Sequence, residues 1–390
     1  MSEQQDRIGI VGWGSASPLG CTPGAVWSTY QDGKSRIAHL PSAQAWGAPL
    51  NQAENAALAE LQSRSKNYRR LDRSVLLAML AAERLWGSIS WPTDSPTGLY
   101  LGSSRGATDS WETYFAAFQA EALLPPQASP LTTAGNLATH TAQHLGLEGF
   151  ASDNSITCSS ALHALANAIV WLESGRYQRF LAGGTEAPLT PFTLAQMKAL
   201  KVYSEAPQGT PFPNRSLDLE KTQNTMILGE GSAIFALEKA PRHPLAWISG
   251  LGYAREHITS LTAVSKDGGA LQQAMRMALA EAKLSRVDVV VCHCPGTQLG
   301  DLSEYQAIRA VFEKNMPSLT SNKWKIGHTL GASGGLSLEL ALLMVMNQQF
   351  VPVPYLNQSN PHHGPIRTVM VNALGFGGNA LSVIIEKPED

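Results

Sequence analysis

The stretch Ser155-Ile156-Thr157-Cys158-Ser159-Ser160-Ala161 decides how this chain is read. A lone cysteine stands between a short β-branched run and a long apolar one. Leu162, Leu165, Ile169 and Leu172 recur at helical spacing, and Gly175 follows as a stop signal. The pattern predicts a strand, a tight turn and a helix that begins at or just after the thiol. The first turn of a helix offers unpaired N–H groups and the positive end of its dipole. Both favour thiolate, so the Cys158 pKa is expected to fall and its nucleophilicity at neutral pH to rise. An isolated cysteine of this kind is more often a small core residue. The rest of the chain has to separate the two readings.

At 390 residues the chain has room for two domains, or for one large fold built from two related halves. Charged residues make up 15%, against about 25% in an average soluble domain. With 34 glycines, that points to extensive burial and to an oligomer interface. The net charge of −2 lacks the basic footprint of a nucleic-acid binder. Met1 to Ile8 is polar and leads straight into a strand, without a signal-peptide pattern. Leu336 to Met346, the best candidate for a membrane span, is too short and contains Glu339. Four cysteines (Cys21, Cys158, Cys292, Cys294) do not make a disulfide framework, and a cytoplasmic location is expected. Cys292-His293-Cys294 crowds three ligand types together without zinc-site spacing, so no metal is expected.

Ile8 to Val11 reads as a buried strand ended by Gly12-Trp13-Gly14. The dinucleotide fingerprint is incomplete there, because a third glycine is missing and Pro18 interrupts. Residues 53–86 read mostly as helix, and Leu99 to Leu101 as a strand. Gly229-Glu230-Gly231 opens the apolar run Ala233 to Leu237, which ends at Glu238-Lys239. Gly377-Gly378 likewise precedes Leu381 to Ile385 and Glu386-Lys387. The helix after Cys158 has a counterpart in Leu336 to Met346, entered through Gly327-His328 and Gly334-Gly335. This order suggests an internal duplication, residues 1–241 and 242–390, in a layered α/β architecture. Both helices are nearly uncharged, as helices buried between sheets are. The turns before them would then meet, placing Cys158 and His328 at one pocket.

Cys158-Ser159-Ser160-Ala161, the run His293 to Asp301, Lys323 with Gly327-His328, and Gly375-Phe376-Gly377-Gly378 resemble, in order and spacing, the β-ketoacyl-acyl carrier protein synthases. These are condensing enzymes of the thiolase fold, α/β with two pseudo-repeated halves in an α-β-α-β-α arrangement. The resemblance implies a decarboxylative Claisen condensation of a Cys-bound acyl chain with malonyl-acyl carrier protein, without a cofactor. Cys158 matches the nucleophile, and His293 and His328 match the histidines that hold the malonyl thioester. Lys323 matches the active-site lysine, and Glu304 a glutamate that pairs with it. Phe376 matches a gating aromatic, whose N–H forms an oxyanion hole with that of Cys158. Thr297, Arg105, Met226 and Gly377 are expected at the substrate. An acidic carrier protein needs a basic docking surface, for which Arg64, Lys66, Arg69, Arg70, Arg73, Lys198 and Lys201 are candidates.

Departures from the family pattern include Cys294-Pro295 after the first histidine, Gln223 to Met226 before the Gly-Glu-Gly turn, Leu374, and Asn379-Ala380. Arg105 stands where small or apolar residues are usual beside the acyl pocket, and there it would shorten the pocket or select a polar terminus. Together they point to a specialised ketosynthase for polyene- or polyketide-type chains. A homodimer is expected, with a heterodimer beside a non-catalytic chain-length partner as the alternative. A thiolase would need a second cysteine near Phe376, and none follows Cys294.

Overall fold

The computed structural model describes residues 6–92, 96–257, 265–356, 362 and 364–389, so the polar residues 1–5 lie outside it. Ten strands form one hydrogen-bonded sheet: β1 (Ile8–Ala16), β2 (Gly98–Gly102), β3 (Ala151–Asn154), β4 (Arg179–Glu186), β5 (Gly231–Lys239), β6 (Ala246–Arg255), β7 (Val289–Val291), β8 (Ser318–Thr320), β9 (Thr368–Gly375) and β10 (Asn379–Glu386). Seven helices matter to the site: α1 (Arg73–Trp86), α2 (Thr108–Gln119), α3 (Ser160–Glu173), α4 (Pro191–Ala199), α5 (Gly269–Glu281), α6 (Gln298–Phe312) and α7 (Ser333–Asn347).

Read outward from the middle, the first half of the sheet runs β1-β5-β4-β2-β3 and the second β6-β10-β9-β7-β8. In both, the three inner strands are antiparallel and the outer two add in parallel. Within the sheet, among the described residues, the halves join through Ile8, Gly9 and Ile10, paired with Ile248, Trp247 and Ala246. Val289-Val290-Val291 shows why an outer strand can be so short. It lies between two parallel neighbours and is buried on both faces, so three consecutive valines suit it.

The central layer is α3 and α7, which pack on each other and on strands of both halves. Every residue from Ser333 to Val345 is buried, which accounts for the missing polar stripe in the sequence. The continuous helical stretch Leu330–Asn347 is long and apolar enough to cross a membrane, but 89% of it is buried inside the protein. Glu339, its one acid, accepts hydrogen bonds from Ser15 Oγ and Trp13 Nε1. α1 covers β1 and β5 from outside, and α5 covers β6 and β10, completing five α-β-α-β-α layers. The helical stretch expected over residues 53–86 is two helices, Gln52–Ser63 and Arg73–Trp86, separated by a short 3₁₀ turn at Tyr68–Arg70.

Candidate active site

Cys158 sits in the turn between β3 and α3, with Ser159 as the residue before the helix. Thr157, just before it, adopts φ +49°, a region that costs a β-branched residue energy. Gly102, at the end of β2, makes room for the turn, because a Cβ there would lie 2.3 Å from the carbonyl of Ser160.

The expected fall in the Cys158 pKa does not occur. Burial pushes the thiol up to about 12, and the nearby Glu186 carboxylate adds to the rise. The N–H groups next to the thiol at the helix start are turned to the backbone instead. Ser159 N donates to Ile156 O and Ser160 N to Thr157 O, each at 3.2 Å. Three features act the other way: the Lys323 charge, and the N–H groups of Phe376 and of Cys158 itself, which reach the sulfur. Those two N–H groups are the donors expected to form the oxyanion hole. A hole aimed at the sulfur is placed to receive the oxygen of a thioester formed there.

Cys158, His293, His328, Phe376, Met226 and Thr297 line one cavity of about 310 Å³. The two imidazoles meet edge to face, with ring centroids 5.1 Å apart. Burial drives the pKa of His293 well below its ordinary value, reinforced by His328 and Lys323. Burial and Lys323 bring His328 down to about 3. Both rings are therefore neutral at pH 7, and each offers one N–H. Both Nδ1 atoms are enclosed without a hydrogen-bond partner among the described residues, which leaves Nε2 as the atom to meet a ligand.

The backbone clamps both histidines. His328 N donates to Ile227 O at 2.6 Å, and Gly229 N donates back to His328 O at 3.1 Å. Glu304, from α6, accepts from His293 N at 2.9 Å, Cys294 N at 2.7 Å and Asn372 Nδ2 at 3.1 Å. The expected direct pairing of Glu304 with Lys323 is thus not formed. Lys323 Nζ donates to Asn322 Oδ1 and Ser337 Oγ, each at 3.0 Å, and feels Glu304 only through space. Burial lowers the Lys323 pKa to about 8, against the pull of Glu304.

Cys292, Cys294 and Glu304 bring ligand atoms within 4.8 Å of one another. The Glu304 oxygens already accept three N–H donors, however, and the two thiols pack into the outer core beside Trp324 and Met370. His293 projects into the cavity instead.

Glu186 was not singled out from the sequence. It ends β4 and is wholly buried, and it collects Ser104 N at 2.7 Å, Gly331 N at 2.8 Å, Ser103 Oγ at 2.9 Å and Arg105 N at 3.1 Å. It therefore ties the β2 loop to the turn before α7, and burial raises its pKa to about 7. The Gly183-Gly184-Thr185-Glu186 run at a strand end was the available signal.

Three sequence expectations need correction. Arg105 does not line the Cys158 cavity; it faces a second one and donates to Gln196 Oε1. Gly378 rather than Gly377 contributes to the cavity wall. Arg73 is a poor docking residue, because its guanidinium is committed to the buried Glu230 at 2.6 and 2.8 Å. Arg64 is partly committed as well, to Glu83 and Glu60. Lys66, Arg69 and Arg70 are exposed and have no ion pair among the described residues. Lys198 reaches the carbonyls of Ala43 and Gln44, and Lys201 lies between the cavity residues Leu200 and Val202.

A buried thiol, two neutral imidazoles on the same cavity and two N–H donors at the sulfur are the set of groups that thiol-dependent acyl transfer uses. Residues 5–243 match the beta-ketoacyl synthase N-terminal domain and residues 245–357 its C-terminal domain, so the chain belongs to the beta-ketoacyl synthase family. It is a ketosynthase, a condensing enzyme of fatty acid or polyketide synthesis with the thiolase-like fold. Among its relatives, Nodulation protein E of Rhizobium sp. (strain N33) is 28% identical over 376 residues, covering 91% of this chain and 89% of that protein. The 3-oxoacyl-acyl-carrier-protein synthase 2 of Rhizobium meliloti (strain 1021) is 26% identical over 420 residues, covering 98% and 99%. Two solved structures share the fold. One is a type II polyketide acyl-carrier protein in complex with its ketosynthase bound to a hexaketide (TM-score 0.84, 20% identity, 98% of this chain and 100% of that chain). The other is a ketosynthase in complex with its chain length factor from Xenorhabdus doucetiae (TM-score 0.78, 21% identity, 100% of both chains).

Proposed function

We propose that Cys158 takes an acyl chain from an acyl carrier protein and that His293 and His328 promote its condensation with malonyl-carrier. The observation that carries this reading is the single cavity shared by Cys158, His293, His328 and Phe376. In the first half-reaction the Cys158 sulfur attacks the incoming thioester, and the N–H groups of Cys158 and Phe376 hold the oxyanion. The carrier thiol leaves with the proton that the cysteine loses. In the second, malonyl-carrier releases CO2, and the Nε2–H donors of His293 and His328 hold the enolate oxygen. The enolate carbon then attacks the acyl-Cys158 carbonyl, and the sulfur departs as a thiolate that takes up a proton from solvent. Lys323 and Glu304 act as positioning residues, one through its charge and the other through the His293 backbone. A Cys158→Ala protein that still condensed at the unmodified rate would overturn this reading.

The carrier protein would dock beside the exposed cations Lys66, Arg69, Arg70, Lys198 and Lys201. A relative in fold was solved with its acyl-carrier protein, which supports that partner. A second subunit is also supported. Trp111, Phe115 and Phe118 expose one face of α2 at helical spacing, and β3 ends the sheet with an edge that no described strand pairs. Whether that subunit is a copy of this chain or a chain-length partner is decided by native mass spectrometry of the co-expressed proteins. All four cysteines are free thiols, in keeping with a cytoplasmic, reducing location.

A further inference from the structure

A cavity of about 250 Å³ runs along β1 and shares no lining residue with the catalytic one. Trp13, Ser15, Cys21, Arg84, Ser88 and Glu339 are among the residues that line it. Thr22, Pro23 and Ser88 are exposed at its mouth, whereas Glu339, on the central helix α7, is wholly buried. The cavity therefore leads from the surface to a carboxyl group in the core.

That carboxyl is only half used. Glu339 Oε1 accepts from Ser15 Oγ and from Trp13 Nε1, while Oε2 is enclosed without a partner among the described residues. Buried polar atoms are nearly always paired, and a bare carboxylate oxygen is costly to bury. The neighbouring cation is committed elsewhere. Arg84 Nη1 donates to the two Glu54 oxygens at 2.8 and 3.0 Å and to Ser15 O at 2.7 Å. The Cys21 thiol feels both members of that pair. Arg84 and Glu54 thus balance each other, and Glu339 is left as the unmatched acid. The other titratable groups around it, Cys21 and Tyr30, stay uncharged at neutral pH because burial raises both.

An unmatched acid at the inner end of a cavity calls for a cation. A metal ion would need several further ligands, and among the described residues the one cluster of three metal-ligating side chains is Cys292, Cys294 and Glu304, away from this cavity. The walls at Val11, Gly12, Pro23 and Leu245 are apolar instead, which suits a carbon stem. The Trp13 indole beside the carboxyl adds attraction for a cation rather than a neutral amine.

We propose that this cavity binds a small primary alkylammonium ion, whose N–H groups meet Glu339 Oε2 while its stem lies along the apolar wall. The bound ammonium takes the place of the Glu339 proton, which passes to solvent. The site stands apart from Cys158 and does not depend on the condensation chemistry.

The probe is n-butylammonium chloride in amine-free phosphate buffer, read by melting temperature against equal concentrations of sodium chloride and tetramethylammonium chloride. At pH 8 butylammonium should raise the melting temperature saturably, and neither other salt should. Half-saturation should need about tenfold more ligand at pH 6, where Glu339, with its pKa of about 7, is mostly protonated. Glu339→Gln should abolish the rise. No rise beyond that in sodium chloride would mean that the cavity holds water only, and an equal rise with tetramethylammonium would mean that N–H donors are not read; either overturns the proposal, as does an undiminished rise in Glu339→Gln. Should that variant not fold, the unmodified protein decides. Butylammonium should slow iodoacetamide alkylation of Cys21, located by peptide mass, with the half-saturation seen in melting; an unchanged Cys21 rate at saturating ligand overturns the assignment.

Discussion

His293 and His328 meet edge to face at 5.1 Å with their planes at 89°, and burial keeps both uncharged. The two rings therefore sit together without the repulsion that two imidazolium ions would feel. Replacing either histidine with alanine should lower malonyl decarboxylation about a hundred- to a thousandfold, the usual loss for one oxyanion donor. Acylation of Cys158 should continue in both variants. The measurement is CO2 release set against acyl-adduct formation; equal losses in the two steps would contradict the assignment.

The same neutrality has a pH signature. The folded His328 pKa of about 3 means that acidification to pH 5 leaves the ring uncharged. Decarboxylation by pre-acylated protein should therefore show no loss with an apparent pKa near the free-histidine value of about 6.5. A fall through that value, with the fold intact by circular dichroism, would show that a histidine is protonated where burial should prevent it.

Two buried charges act on the Cys158 thiol in opposite directions, Glu186 raising its pKa and Lys323 lowering it. Glu186→Gln should shift the pH profile of iodoacetamide alkylation of Cys158 to lower pH, and Lys323→Met should shift it to higher pH. Glu186→Gln should also lower stability by about 1–3 kcal/mol, because an amide keeps one accepting oxygen and turns its NH2 toward the donors that the second carboxylate oxygen satisfies. Shifts of the same sign in the two variants would contradict the electrostatic account.

Glu339 ties a stability limb to the core. Burial raises its pKa from 4.5 to about 7, against hydrogen bonds from Ser15 and Trp13. Between those values the folded state holds a proton that the unfolded chain has lost. Its contribution is complete below pH 4.5 and is lost as pH rises through 7. The loss is on the order of 3 kcal/mol. Glu339→Gln should flatten the decline in melting temperature between pH 5 and 8, and parallel curves for the two proteins would contradict it.

Arg69 and Arg70 are exposed at the end of a 3₁₀ turn. Reversing both charges should raise the apparent KM for carrier-bound substrates while sparing small thioester mimics, and the effect should shrink at high salt. Equal effects on both substrate types would count against docking there.

Cys158 was legible because it stands between two apolar runs at a helix start, and His328 because its turn leads into the matching buried helix, whereas His293 and Phe376 were legible only through the resemblance of their motifs to the family. Those runs also carried the two halves and the buried central helices. Properties set by distant contacts were not legible. The Cys158 thiol looked activated because local sequence shows a helix start but does not show that the N–H groups next to the thiol are turned to the backbone or that the sulfur is enclosed. Arg73 looked like part of a basic surface until Glu230, 157 residues away, took up its guanidinium. Glu186 was hidden for the same reason, since its four partners come from two remote loops.

The central claim is tested most directly by an acyl chase. Protein incubated with hexanoyl-carrier is mapped by peptide mass spectrometry and then mixed with malonyl-carrier. The account predicts a hexanoyl group on Cys158 that disappears as 3-oxooctanoyl-carrier and CO2 form together. A hexanoyl group on another residue, or one that stays on Cys158 after malonyl-carrier is added, would contradict it.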